Sequence, residues 1–277
     1  MTSSAIDLLR CPVCGAPGAL CEDGRVYRCN GEKPHSFDRS RSGYLNLSRA
    51  QKGGGDDVGM VRARSAFLEK GYYKPLSDRV CAILDEAGAK TVIDAGCGEG
   101  YYSNRMAAGG RTVVGADLSK AAVEHAAKQA KRLGNGALFL VASLFALPIA
   151  DGSVDAVVNL FAPCAEPEFC RVLRPGGLLV VVGAGASHLM GLKRAVYREP
   201  YPNRARADLP RGMRPVCEEH LTGRITVSGR DDIAALFAMT PYAFRTSPAD
   251  RAKLDALDRL ETETEFDIFC YRKEKTE

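Results

Sequence analysis

The stretch TVIDAGCGEG, residues 91–100, restricts the fold more than any other in the chain. An apolar run of strand length ends in Asp94 and passes at once into glycines at positions 96, 98 and 100. Glycines there let the backbone turn tightly and approach a ligand at the carboxyl edge of a sheet, with a helix N-terminus following. The alternation continues downstream. RTVVGADLS, ALFLVAS, VDAVVNLF and GGLLVVVGA are further apolar runs of strand length. Between them lie helical patterns: YYSNRMAAGG, the alanine-rich SKAAVEHAAKQAKRLG with Ser119 as N-cap, and EPEFCRVLRPGG. Continuous apolar strands separated by helices predict an α/β fold with a mostly parallel sheet covered on both faces. Upstream, MVRARSAFLEKGYYKPLSDRVCAILDEAG reads as one or two helices, and near the end GRITVSG and EFDIFCYRK read as strands around a helix, RDDIAALFAM. Three regions are expected: a Cys-rich module over 1–50, a linker and helices over 51–90, and an α/β domain over 91–277.

The acids around the glycine loop narrow the ligand. A dinucleotide loop, G-x-G-x-x-G, leaves room for a pyrophosphate on the helix end, whereas this loop runs D-x-G-x-G-x-G from Asp94 through Gly96, Gly98 and Gly100. An acid at the strand tip repels a pyrophosphate and suits a ligand carrying an ammonium and a sulfonium. A second strand, VVGADLS, ends in Asp117, where a carboxylate can accept both hydroxyls of a ribose. VIDAGCGEG resembles the first motif of the class I S-adenosylmethionine-dependent methyltransferases, and DGSVDAVVNLFAP and RVLRPGGLLVVV resemble their fourth and fifth strands. The resemblance implies a Rossmann-like domain. Many members carry an acid after the third strand to meet the adenine amine. VASLFALP offers Ser143 instead, with backbone groups near Leu144 as the further adenine contact and an ordinary capping role as the alternative for Ser143.

The opening stretch CPVCGAPGALCEDGRVYRCNGEKPHSFD poses a separate problem. Cys11-x-x-Cys14 is a knuckle spacing that lets two thiolates grip one zinc, and Cys29 with His35 can close a tetrahedron. Cys21 is a fifth candidate, so a site of four cysteines stays open on spacing alone. Fifty residues bury little apolar surface, and a metal substitutes for the missing core. A disulfide set is disfavoured. MTSSAIDLLR carries no basic stretch followed by a long apolar run, and apolar runs such as LLVVVG are too short for a bilayer. The expectation is a cytoplasmic protein without a membrane partner, its thiols reduced. The cysteines at 81, 97, 164, 170, 217 and 270 read as small core residues.

Net charge is only +4, yet it is uneven. RSRSGYLNLSRAQK, residues 39–52, holds four basic residues and no acid. Between Ser187 and Pro215 there are seven Lys/Arg (Lys193, Arg194, Arg198, Arg204, Arg206, Arg211 and Arg214) against two acids. Such segments suit a phosphate backbone, with Tyr44 stacking on a base or packing at home.

The order CPVC, then C and H before SFD, GYLNL, ARSAFLEKGYYKPL, VIDAGCGEGYYS, LFAPC, RVLRPGG, HLM-x-LK and MTPYAFR resembles one family along nearly the whole chain. It is similar to the bacterial 23S rRNA guanine-N1 methyltransferases, one branch of which is associated with resistance to tylosin-type macrolides. The resemblance implies zinc on Cys11, Cys14, Cys29 and His35, excluding Cys21. It implies cofactor contacts from Gly98 and Glu99, from Tyr73 in GYYKPL and from His188 in SHLM, with 23S rRNA as partner and a homodimer as assembly. A ring-nitrogen target agrees with the NLFAPC end of the fourth strand, where Phe161 is a candidate to stack on the base and Asn159 to hold its edge. No residue declares itself as general base; His188 competes between that role and cofactor binding. Two other functions compete: methylation of a small quinone-type molecule, and RNA binding without turnover.

Overall fold

Along the central strands, successive side chains enter opposite cores, which is why their sequences are apolar without interruption. The computed structural model describes residues 4–22, 24–49, 56–203, 210–243 and 245–274. Strands β1 (Gly18–Cys21), β2 (Val26–Cys29) and β3 (Ser36–Asp38) form a small antiparallel sheet in the order β1-β2-β3. After β4 (Leu45–Asn46) come helices α1 (Val58–Glu69) and α2 (Lys74–Glu86). The alternating part follows: β5 (Thr91–Ala95), α3 (Tyr101–Ala108), β6 (Thr112–Asp117), α4 (Lys120–Leu133), β7 (Leu138–Val141), β8 (Val154–Leu160), α5 (Glu166–Val172) and β9 (Leu173–Ala184). Helix α6 (Met190–Val196), β10 (Met213–Ser228), α7 (Arg230–Ala238), α8 (Pro248–Ala252) and β11 (Arg259–Lys273) complete the described chain. No helix among the described residues is long and apolar enough to cross a membrane.

The large sheet has the order β10-β11-β9-β8-β5-β6-β7-β4. Pairs from β9 to β4 are parallel, and β11 joins β9 antiparallel. The chain moves outward from β5 through β6 to β7, then returns to place β8 on the other side of β5. That reversal opens a crevice beyond the carboxyl ends of β5 and β8, where open α/β sheets bind ligands.

Val92, Val158, Val180 and Val182 face one core, shared with Leu76 and Leu84 of α2 and Leu236 of α7. Ile93, Val157, Leu179 and Val181 face the other. This second core is closed by Phe169 of α5 and by the N-terminal segment itself, through Leu8, Leu9, Tyr27, Leu45 and Leu47. The Cys-rich module therefore covers one face of the sheet, and its β4 pairs with β7. Each such side chain, fully buried, contributes about 1.5–3 kcal/mol relative to exposure.

Two elements differ from the sequence expectation. The EPEFCRVLRPGG helix ends at Val172, because Arg174-Pro175-Gly176 turns into the strand with Gly176 at φ +76°. GRITVSG is only the end of a 16-residue strand that pairs with β11 over its whole length. Most of β10 is exposed at the sheet edge, so its upstream half lacks the apolar alternation that would mark it. Ser119 caps α4 as expected, its hydroxyl accepting the Ala122 N–H at 3.2 Å.

Candidate active site and metal centre

At the reversal of strand order lies a cavity of about 670 Å³, lined from the glycine loop, the end of β8, the β9–α6 connection, α1 and the segment after α7. Gly96 stands at φ +88°, and a Cβ there would run into Ala162, so glycine is required for the loop to pass beneath the β8 end. Asp94, Gly96, Gly98, Glu99, Asp117, Leu144, Tyr73 and His188 all line this cavity. Gly100 and Ser143 do not. A Cβ on Gly100 would strike Ala126, so its role is to let α3 approach α4. The Ser143 hydroxyl accepts the Phe145 N–H at 3.2 Å, the capping alternative.

Acids dominate the cavity floor. Asp94 is 1% exposed; one carboxylate oxygen accepts the Ser103 hydroxyl at 2.5 Å and the other has no partner among the described residues. Burial pushes its pKa up to about 7, and the neighbouring Glu99 and Asp117 add to the rise. Glu99, also buried, is pushed to about 7 by desolvation, against the pull of Arg64. Asp117 accepts the Gly98 N–H at 3.1 Å and the Ser119 N–H at 2.8 Å, yet burial still raises its pKa.

The amides of the loop are spent internally. Gly96 and Cys97 donate to the Ala116 carbonyl, Gly98 to Asp117 and Gly100 to the Cys97 carbonyl. Four of the loop's amides are therefore already taken, although its sequence pattern is glycine-rich.

Tyr73 and His188 form one wall. The Glu265 N–H donates to His188 Nδ1 at 3.2 Å, so the neutral ring carries its hydrogen on Nε2 and donates it to the Tyr73 hydroxyl at 3.1 Å. Burial, with Lys193 nearby, pushes the imidazole pKa down to about 4. His188 is thus a neutral donor whose second nitrogen accepts the Glu265 N–H. Phe161 adopts φ +54°, is 47% exposed and lies 6.4 Å from the His188 ring at 26°. A bulky residue in that conformation carries strain of about 1–3 kcal/mol. Asn159, expected at a base edge, is fully buried; its amide donates to the carbonyls of Ala95 and Pro163.

In the N-terminal module, one donor atom each from Cys11, Cys14, Cys29 and His35 lies within 4.8 Å of the others. The His35 N–H donates to Cys29 Sγ at 3.1 Å, and backbone donors from His35 and Gly31 pull that thiol down to about 6. Cys21 is outside the cluster, with its Sγ 3.9 Å from the Ala19 carbonyl.

The basic segments divide. Lys193 is fully buried, its ammonium donating to the Tyr201 carbonyl at 2.9 Å and to Asn203 Oδ1 at 2.7 Å and lying 4.6 Å from the Tyr201 ring centroid. Arg194 pairs with Glu263 at 3.0 Å. Arg41, Arg49, Arg198, Arg211 and Arg214 are exposed. Lys52, Arg204 and Arg206 lie outside the described residues. Tyr44 stacks on no base: it is buried with Cys97, Val123, Ala126 and Phe139. Sequence reasoning missed Asp56, Arg64 and Tyr102 as cavity residues. A carboxylate and a guanidinium near an otherwise apolar helix face were the available signal.

Comparison with known proteins agrees with this geometry. A model described as "Methyltransferase domain" matches residues 92–177, and the zinc-ribbon model "RlmA, N-terminal" matches residues 9–53. A 23S rRNA (guanine(748)-N(1))-methyltransferase from Streptomyces fradiae is 33% identical over 265 residues, 91% of each chain. The chain belongs to the 23S rRNA guanine-N1 methyltransferase family. Another relative, provisionally named a 23S rRNA (guanine-N(1)-)-methyltransferase, from Micromonospora griseorubida, is 35% identical over 87% of this chain and 88% of its own. By contrast, similarity to a malonyl-[acyl-carrier protein] O-methyltransferase from Erwinia pyrifoliae, 38% identical, covers 42% of this chain and 45% of that one. The solved YcgJ protein of Bacillus subtilis covers 70% of this chain and 97% of its own with a TM-score of 0.48 at 15% identity.

Proposed function

We propose that this protein methylates N1 of a guanine in a hairpin loop of 23S rRNA, using S-adenosyl-L-methionine, with a structural zinc in its N-terminal module. The observation that carries the cofactor reading is the acid-lined floor joined to a glycine loop whose Gly96, Cys97, Gly98 and Gly100 amides are already engaged. A pyrophosphate meets four carboxylates there against the one guanidinium of Arg64, whereas a cationic ligand finds Asp94, whose second oxygen lacks a partner among the described residues. In this reading Asp94 meets the ammonium group, Asp117 the ribose, and Leu144 the adenine side. Tyr73, Gly96, Gly98, Glu99 and His188 complete the contacts, with Gly100 and Ser143 shaping the loops behind them. Cys11, Cys14, Cys29 and His35 hold one zinc; three thiols and an imidazole already gathered match a closed structural site.

The sulfonium supplies an electrophilic methyl group, and transfer is a direct displacement: the bond to guanine N1 forms as the carbon–sulfur bond breaks, S-adenosylhomocysteine leaves, and the N1 proton is lost to solvent. The protein's work is alignment of the nucleophile at close range and exclusion of water by walls such as Leu160 and Leu236. Guanine N1 is hidden in a base pair, so the base is taken unpaired from a loop or flipped out. Phe161, partly exposed on the cavity lining, is placed to stack on it. The relatives' names support the rRNA target, and likeness over 91% of the chain, module included, favours it over a small molecule. The module over 1–50 serves RNA recognition, the helices over 51–90 roof the crevice, and 91–277 hold the cofactor. The protein acts in the cytoplasm as the homodimer that the resemblance implies.

The test is incubation with radiolabelled cofactor and either unmodified large-subunit rRNA or a metabolite extract. Label recovered as 1-methylguanosine is the expected result. Label in a small molecule, or in neither, would overturn the reading.

A further inference from the structure

The cavity presents four carboxylates, on Asp56, Asp94, Glu99 and Asp117, and a single cation among the described residues, Arg64. Arg64 projects from α1 over the glycine loop: its Nη1 stands 3.5 Å from the point a Cβ on Gly98 would occupy. That nitrogen pairs with Asp56 and lies 3.9 Å from Glu99 Oε2. The guanidinium is held between two acids at the floor, its side chain 24% exposed.

Resting on the cofactor reading above, a difficulty follows. S-adenosylmethionine brings two positive groups that match the acids and one carboxylate that does not. An anion near Asp94 and Glu99 is repelled unless a donor of opposite charge meets it. Elsewhere, glycine-loop amides or a helix end supply such donors. Here the amides of Gly96, Cys97, Gly98 and Gly100 are engaged within the protein. The Tyr73 hydroxyl is a neutral donor and leaves the charge uncompensated.

We infer that Arg64 is the anchor for the α-carboxylate of the cofactor's methionine, exchanging Asp56 or Glu99 for the ligand's oxygens. The planar guanidinium suits a bidentate carboxylate. The exchange also frees acid charge for the ligand's cations, so one residue serves as counter-ion in the free protein and as anion receptor in the complex.

The experiment is a double-mutant cycle on binding, read by calorimetry with the full-length, zinc-loaded chain. The ligands are S-adenosylhomocysteine and its decarboxylated form, which keeps the ammonium and lacks only the carboxylate. The variants are Arg64→Met and Arg64→Lys, each checked for zinc content and melting temperature. In the wild type, loss of the carboxylate should weaken binding about 10- to 100-fold, the range for a hydrogen bond to a charged group. Arg64→Met should weaken S-adenosylhomocysteine by a similar factor and leave the decarboxylated ligand within about twofold, with Arg64→Lys between. Equal losses for both ligands would mean that Arg64 supports the loop or the nucleoside, and unchanged affinity for both that it touches neither; each result overturns the assignment. If the wild-type chain bound neither ligand, the cofactor reading itself would fall, and the Arg64 role with it.

Discussion

The metal cluster and the cofactor crevice both gather groups that suit a cation, but they are assembled differently. All four residues of the cluster come from the segment between Cys11 and His35, and local turns bring them together. The crevice draws Asp94 and Asp117 from the ends of two strands, Asp56 from just before α1 and Arg64 from its middle, His188 from beyond β9, and Thr240 and Tyr242 from the segment after α7. A local site can be read as a spacing. A dispersed one exists only once the sheet has set its strand order.

The largest effect expected from this contrast is loss of the metal. A structural zinc contributes on the order of 10 kcal/mol to folding a small module. Cys14→Ser should lower zinc content well below one per chain and release amide-exchange protection across β1 to β3. Because Leu9 and Tyr27 share a core with Ile93 and Leu140, the melting temperature of the whole chain should fall as well. Full zinc occupancy in that variant would replace Cys14 by Cys21 in the ligand set.

Asp94→Asn probes the crevice alone. It keeps the Ser103 contact while removing the charge, and should weaken S-adenosylhomocysteine about 100-fold, roughly 3 kcal/mol, with zinc content unchanged. Phe161→Ala separates substrate from cofactor within the cavity. Base stacking is worth about 1–3 kcal/mol, so KM for rRNA should rise about tenfold or more while cofactor affinity stays within twofold. A change confined to cofactor affinity would move Phe161 out of the base site.

The smallest effect is a pH profile peculiar to the crevice. Asp94 and Glu99 have pKa values raised to about 7 in the folded chain. Their contribution to stability is therefore complete below the ordinary carboxylate range and is lost as pH rises through about 7. The ligand needs them ionised, so its affinity should strengthen through the same window, by up to about tenfold per pH unit for each group, and level off above about 8. Calorimetric titrations at several pH values, with melting curves of the free and ligand-bound chain, check both signs. Affinity independent of pH would mean that the two acids are already charged in the free protein.

Legibility followed the range of the contacts. The strand–loop–helix units were readable because period and glycine position are local, and Asp94, Asp117 and Ser119 stand where a strand ends or a helix begins. Lys193 was not, since counting charges cannot tell a solvated lysine from one enclosed by Tyr201 and Asn203. Tyr44 stayed open between stacking and packing for a related reason: a basic neighbourhood in sequence conceals that its ring enters the α4 core. The upstream half of β10 escaped notice because an exposed edge strand needs no apolar face.

By itself the sequence determined the parallel α/β plan, the acid-tipped glycine loop and the choice of metal ligands down to one ambiguous cysteine. These rest on backbone geometry and ligand chemistry that act over a few residues. The tertiary structure alone decided that the Cys-rich module covers a face of the sheet, that four of the loop amides are already taken, that His188 is held as a neutral donor, and that Arg64 is the one described cation among four acids in the cavity. Each depends on groups far apart in the chain meeting in a buried place, where desolvation and the partner at hand fix what a side chain can do.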